Sequence, residues 1–536
     1  MIQYLKGGLV HMKTVGQMYL GFSDAQNYSQ RQNKAAFNDV FVRNSYLDDL
    51  LNSSVYFLIG EKGTGKTAYA TFLSNNNYKE TKAAMSYLAA TDYEKFYTLK
   101  KNKNLDLTGY VGIWKVILLL LLAKNVSEQD KVISIFNKSN LNALNSAIDE
   151  YYMNAFSPEI TNVMKVMDES EIVAKLISKY AEVGGNAASK IEFSETRFQH
   201  NLFYIEKSFS DAITKLKLNK DIILFIDGID IRPDTIPYVD YIECIKGLVN
   251  ATWTLNTGIF SNTKDTKGQF RVVLLLRPDI FNSLDLQNAT NKLLDNSVFL
   301  DWRTTYQIYK KSYLYEVAKK LLSYQQDSNK DAIFEYYFPW KIASTNPERE
   351  YDTAFMEFLK ISLSRPRDIL VIMQYLQRKM KKDNLGNNKF FSKEVFDSDE
   401  FQNNYSRYFM GSLKDQLSFY YSNVDFEHFL KLFDFFKAAD FTYEEYMINY
   451  GKFIDYIHKN ADTIPKFIDD SENLLQLLYD CNIITAIETD ENGKPYFHFS
   501  YREKDSTNIN PKVWKGDNIS YRFHFGLYKK NRMGRY

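Results

Sequence analysis

The run Val55-Tyr56-Phe57-Leu58-Ile59-Gly60-Glu61-Lys62-Gly63-Thr64-Gly65-Lys66-Thr67 constrains the fold more than any other stretch of the chain. An apolar, β-branched and aromatic segment leads into G-x-x-x-x-G-K-T, and helix formers follow from Ala68 to Leu73. Strand, glycine-rich loop and helix in that order are what a phosphate-binding loop requires. Such a loop turns its backbone amides onto phosphates, and the tight positions Gly60, Gly63 and Gly65 call for glycine. The positive end of the following helix adds to the field. Lys66 brings a point charge and the Thr67 hydroxyl a ligand for Mg²⁺. The pattern predicts that Gly60, Glu61, Lys62, Gly63, Thr64, Gly65, Lys66, Thr67 and Ala68 hold a nucleoside triphosphate. The competing reading is a glycine-rich turn with a surface lysine.

At 536 residues the chain predicts about three or four structural units. A net charge of +1 gives no global attraction to nucleic acid. The only cysteines are Cys244 and Cys481, and the six histidines are scattered, which argues against a disulfide framework or a zinc site. The N-terminus lacks a charged region followed by an apolar core, so no secretory signal is expected. The longest apolar run, Val116 to Ala123, is far short of the roughly 20 residues that span a bilayer. A cytoplasmic location without a membrane partner is the expectation.

A second signal comes 161 positions after Lys66. Ile222-Ile223-Leu224-Phe225-Ile226-Asp227 reads as a buried strand ending in an acid. Such a strand is expected beside the phosphate strand, with Asp227 holding the Mg²⁺ shell. Many ATPases place a second acid directly after that Asp to orient water. Here Gly228 follows, and the next carboxylate is Asp230. Either Asp230 reaches the water, or hydrolysis is slow and the nucleotide acts mainly as a conformational signal; a turn or cap role for Asp230 is the alternative. A third strand, Phe270 to Arg277, puts Arg277 in place to sense a γ-phosphate, with an ion pair to Asp279 as the competing reading. Val298 to Trp302 is strand-like, and a helical pattern runs from Thr305 to about Tyr324. Arg365-Pro366-Arg367-Asp368 then opens a helix through Met380. Proline at a helix start flanked by arginines suits a lid whose Arg365 and Arg367 face the nucleotide; a solvated cap is the alternative.

Together these pieces resemble the additional-strand P-loop ATPases, particularly the branch holding the STAND switches and the origin-recognition (AAA+-like) ATPases. The resemblance rests on Gly60 to Thr67, Asp227-Gly228-Ile229-Asp230, Leu274 to Asp279 and Arg365 to Asp368. More narrowly, the chain resembles the bacterial FunZ-like P-loop ATPases, in which a Gly-Phe-Ser-Asp-Ala stretch (here Gly21 to Ala25) precedes the loop. The resemblance implies ATP with Mg²⁺, and places Phe41, Val42 and Tyr46 near the adenine. It implies a slow ATPase switch controlling a partner effector, in phage defence or mobile-element biology, with Lys66, Asp227, Asp230, Arg277 and Arg367 as the catalytic set. The long gap between loop and carboxylate strand implies an inserted module. No arginine finger donated in trans is identifiable, which leaves a homo-oligomer open.

The expected class is therefore α/β, a P-loop parallel sheet of additional-strand type. Its parts are an N-terminal segment (1–53) reaching the nucleotide, a core (54–305) with a helical insertion at about 107–217, a lid (306–385) and a C-terminal winged-helix-like α+β domain (395–536). The insertion reads as helices Leu107–Ala123, Gln129–Asn154, Ser170–Val183 and Phe198–Leu218, and Lys381 to Lys389 as a linker. Helices followed by a hairpin, Ile483–Thr489 and Tyr496–Tyr501, suggest the winged helix. Residues 421–500 carry 15 acidic and 6 basic side chains, net −9, a face that repels DNA phosphate and suits protein. The last 36 residues carry 9 basic and 3 acidic, net +6. That tail (Lys529, Lys530, Arg532, Arg535) keeps a second reading open, an ATP-loaded DNA-binding protein.

Overall fold

The computed structural model describes residues 12–89, 93–94, 97, 109–127, 195–326, 332–344, 350–461, 464–468, 470–504 and 511–527. The chain forms two compact units rather than three or four. One comprises Ser45–Glu61 and Lys66–Leu300; the other comprises Met1–Asn44, the loop tip Lys62–Gly65, and Asp301–Tyr536.

The first unit is α/β. Its elements are β1 (Phe57–Ile59), α1 (Lys66–Asn75), β2 (Thr81–Tyr87), α2 (Tyr110–Ser127), α3 (Glu195–Thr214), β3 (Asp221–Asp227), α4 (Tyr238–Thr254), β4 (Phe270–Leu276) and β5 (Ser297–Phe299). The five strands form one sheet in the order β2-β3-β4-β1-β5, with every pairing parallel. Parallel strands covered on both faces need continuous apolar runs, and all seven residues of β4 and the last six of β3 are buried. The order corrects one expectation: β3 does not run beside β1, because β4 stands between them. Helix α2 packs on α4 so closely that a Cβ at Gly247 would sit 2.4 Å from Tyr110 Cβ. Trp114 Nε1 also donates to the Cys244 carbonyl at 3.0 Å. Of the expected insertion, the ends α2 and α3 are helical as anticipated; Gln129–Asn154 and Ser170–Val183 lie outside the described residues.

In the second unit the helical pattern expected from Thr305 starts later. A 3-10 turn at Tyr309–Lys311 precedes α5 (Tyr313–Ser323), whose N-cap Ser312 accepts from the Tyr315 amide. A short hairpin, β6 (Lys341–Ala343) and β7 (Tyr351–Thr353), leads into α6 (Ala354–Ile361) and α7 (Pro366–Lys382). Then come α8 (Asp399–Leu417), β8 (Asp440–Thr442), α9 (Tyr443–Asn460), α10 (Ser471–Asp480), β9 (Ile484–Thr489), β10 (Pro495–His498) and β11 (Ile519–Phe523).

Three expectations are corrected here. The hairpin β9–β10 belongs to a four-stranded antiparallel sheet, β10-β9-β11-β8. Its interior strand β11 falls in what read as a basic tail, with Tyr521 and Phe523 fully buried. Lys529, Lys530, Arg532 and Arg535 themselves lie outside the described residues. The linker at 381–389 is paired backbone: Asn388 and Gly386 carbonyls accept from the Val15 and Gly16 amides at 2.9 and 2.7 Å. The N-terminal segment packs into this unit from residue 12 on. Val15, Met18 and Leu20 are buried, and Gln377 Nε2 donates to the Val15 and Met18 carbonyls. Among the described residues no helix is long and apolar enough to cross a membrane.

Candidate functional site

In the first unit, α1 begins at Lys66, directly after the glycine loop that leaves β1. Lys66 is 8% exposed, and its ammonium donates to the carbonyls of Gly60 (2.7 Å) and Glu61 (3.3 Å). Burial pulls its pKa down, against the opposing charges of Asp230, Asp227 and Glu61. Thr67 Oγ1 donates to Asp227 Oδ2 at 2.7 Å, and the Gly228 amide donates to Asp227 Oδ1 at 2.8 Å. Burial pushes the Asp227 carboxyl above the usual range; the Thr67 and Gly228 hydrogen bonds and the Lys66 charge oppose this without cancelling it, and Asp230 reinforces it. Asp230 is half-buried on the turn that follows β3. Thr67, Asp227, Lys66 and Asp230, chosen from separate parts of the sequence, thus act on one another.

Gly228 has φ +85°, and a Cβ there would lie 2.3 Å from the Leu88 carbonyl oxygen. The backbone therefore excludes a side chain at the position where many ATPases carry their water-orienting acid. Arg277, at the end of β4 and 1% exposed, forms a fork-to-fork ion pair with Asp279, with Nε 3.0 Å from Oδ1. That is the competing reading of Arg277 made real.

The loop tip, residues 62–65, belongs to the second unit, and there its carbonyls have donors. The Lys62 oxygen accepts from Arg365 Nη1 (2.9 Å), the Gly63 oxygen from the Arg367 amide (3.3 Å) and the Thr64 oxygen from Trp302 Nε1 (2.8 Å). In a trans peptide C=O and N–H point opposite ways. Each of these carbonyls is therefore paired on the side opposite the amide that follows it, at Gly63, Thr64 and Gly65. Gly63 (φ +89°) and Gly65 (φ +96°) take left-handed conformations. Gly60 does not, so the expectation of a glycine-only conformation there is corrected.

Arg365 is buried, not solvated. Its Nε and Nη2 each lie 3.0 Å from the Asp368 carboxylate, which also accepts from the Leu363 amide (2.9 Å) and the Tyr408 hydroxyl (2.7 Å). The backbone places it there: Arg365 is extended (φ −113°, ψ 143°), as a residue before proline must be, and Pro366 opens α7. Arg367 is half-buried and donates from Nε to the Ser23 carbonyl at 3.0 Å. Phe41 and Val42 are buried in this unit, the Phe41 carbonyl taking Lys320 Nζ at 2.8 Å, whereas Tyr46 belongs to the first unit. Trp302 and Tyr408 are the participants that sequence reasoning missed; their partners lie 238 and 40 residues away in the chain, and no local spacing announces them. Asp368 stood in the quoted motif, three residues from Arg365, without a role assigned to it.

The Thr67 hydroxyl at the start of α1 and the Asp227 carboxylate at the end of β3 form a hard oxygen pair that suits Mg²⁺ completed by phosphate oxygens. Among the described residues no cluster of three or more His, Cys, Asp or Glu is arranged to hold a metal by itself. What fold and loop define is an α/β protein with an all-parallel five-stranded sheet, carrying a glycine-rich loop at the carboxyl end of an inner strand. No family model and no curated protein sequence matches the chain.

Proposed function

We propose that this chain is an ATP-binding molecular switch that hydrolyses its nucleotide slowly and controls a partner effector. The observation that carries the reading is the Thr67–Asp227 hydrogen bond, which joins the start of α1 to the end of β3 across 160 residues. A strand–loop–helix motif and a distant strand ending in an acid meet as a triphosphate site needs them to. In this reading Gly60 to Ala68 cradle the phosphates, Lys66 neutralises them, and Thr67 and Asp227 hold Mg²⁺. Bound there, Mg²⁺ would supply charge neutralisation along the phosphates. The raised proton affinity of Asp227 supports this, since a buried carboxylate with too little positive charge around it favours a cation.

Slow turnover is supported by Gly228, where no carboxylate fits, leaving Asp230 to orient water. The finer architecture we assign is the additional-strand P-loop type, with β4 as the strand between β1 and β3. We assign α7 as the lid helix and the α8–β11 region as winged-helix-like, its helices followed by a hairpin. Adenine as the base, an effector under control and a role in phage defence come from the resemblance alone.

The test compares phosphate release and ATP binding by the native chain and by Lys66→Ala. The reading expects slow release by the native chain, and binding weakened at least about 100-fold in Lys66→Ala through loss of a charge on the phosphates. Equal release by both would defeat it.

A further inference from the structure

Within the second unit the loop tip is held by a chain of side chains that ends on α8. Arg365 meets the Lys62 carbonyl with one nitrogen and Asp368 with two others. Asp368 in turn takes the Tyr408 hydroxyl. Seven residues further along α8, Asp415 accepts from the Lys62 ammonium at 2.7 Å. Seven residues are two helical turns, so Tyr408 and Asp415 share one face of α8. Other residues of the same helix meet the segment that follows β11: Ser406 Oγ donates to the Gly526 carbonyl at 2.7 Å, and Phe409 stacks on His524 at 4.8 Å. A Cβ on Gly526 would lie 3.0 Å from Phe409 Cδ2 on α8 and 2.8 Å from the Ile361 carbonyl oxygen at the end of α6, so the segment is packed closely against both helices.

We propose that Tyr408, Asp368 and Arg365 form a positioning relay through which the C-terminal antiparallel sheet, by way of α8, sets the conformation of the phosphate loop. Arg365 is in this account a positioning residue that holds the loop from outside, not a ligand of the nucleotide. Its grip fixes the Lys62 peptide with its carbonyl outward and the Gly63 amide facing the cradle. The consequence for affinity rests on the ATP-binding reading; the effect on the loop itself does not.

The full-length chain is compared with Tyr408→Phe, Asp415→Asn and a control, Tyr446→Phe. The control removes a comparable hydrogen bond (to the Ser471 carbonyl, 2.6 Å) from α9, away from the relay. Amide hydrogen exchange of residues 63–65 is read without nucleotide, and Mg·ATP affinity separately. The relay predicts exchange about tenfold to a hundredfold faster in Tyr408→Phe, the loss of one hydrogen bond to a charged group, a smaller rise in Asp415→Asn, and none in Tyr446→Phe. Affinity should fall in the same order. If Tyr408→Phe melts lower yet leaves exchange at 63–65 at the native rate, the relay is refuted. A native chain that binds no triphosphate refutes the functional reading instead, and the exchange data still decide the relay.

Discussion

Asp227 and Asp368 are both buried carboxylates, 7% and 0% exposed, and they are held in opposite ways. Asp368 is surrounded by donors, among them the Nε–Nη2 edge of the Arg365 guanidinium. Burial pushes its carboxyl up, but Arg365 and the Leu363 and Tyr408 hydrogen bonds outweigh that and hold it below the usual range. Asp227 has a hydroxyl, one amide and Lys66, whose ammonium donates instead to loop carbonyls, and its carboxyl stays above the usual range. The difference separates a finished structural charge from one whose compensation is incomplete within the chain. A site that has to receive a cation is expected to look like the second.

The largest expected effect comes from breaking the finished pair. Arg365→Ala leaves Asp368 buried without its cation and should cost about 3–5 kcal/mol in denaturant unfolding. Lys66→Ala, which removes a desolvated ammonium, should change stability by less than about 1 kcal/mol while it destroys nucleotide binding. Equal losses in the two variants would erase the distinction.

Next in size is a pH effect beside the finished pair. His524 is fully buried, and burial lowers its pKa from 6.5 to about 4. Between those values the unfolded chain binds the proton and the folded chain does not, so stability falls as pH drops through this window. The total is about 3 kcal/mol, and His524→Gln should flatten the profile. Asp368 adds a loss at lower pH, as acidification passes through its depressed folded value. Asp227 has the opposite sign. Its raised pKa makes the folded state less stable as pH rises above the ordinary carboxyl range, so the smallest effect is a gain. Asp227→Asn without nucleotide should be more stable at neutral pH by about 1 kcal/mol, read by thermal unfolding.

Much of the sheet was legible because its signals are local and strong. The apolar runs at 57–59, 222–227 and 270–276 declare buried strands, and the glycine motif and the acid ending β3 declare the loop and its partner. The strand order was not legible, since nothing in β4 says that it inserts between β1 and β3. Strand β11 was missed because Ile519 to Phe523 alternates with polar residues in a Lys- and Asn-rich stretch, and its partner Asp440 lies 82 residues from Arg522. What the Arg365–Asp368 pair meets beyond α7 was hidden for the same reason. Arg365 and Lys62 are 303 residues apart, and Asp368 and Tyr408 are 40 apart. Charge at the opening of α7 was visible in the sequence; what that charge would meet was not.

In the function proposed above, Asp227 awaits a metal brought with a triphosphate. Calorimetric titration of ATP into the native chain and into Asp227→Asn, each with and without Mg²⁺, measures it directly. Mg²⁺ should tighten binding at least about tenfold in the native chain and leave Asp227→Asn nearly unchanged. The same gain from Mg²⁺ in both proteins, or no heat from ATP in either, would contradict it.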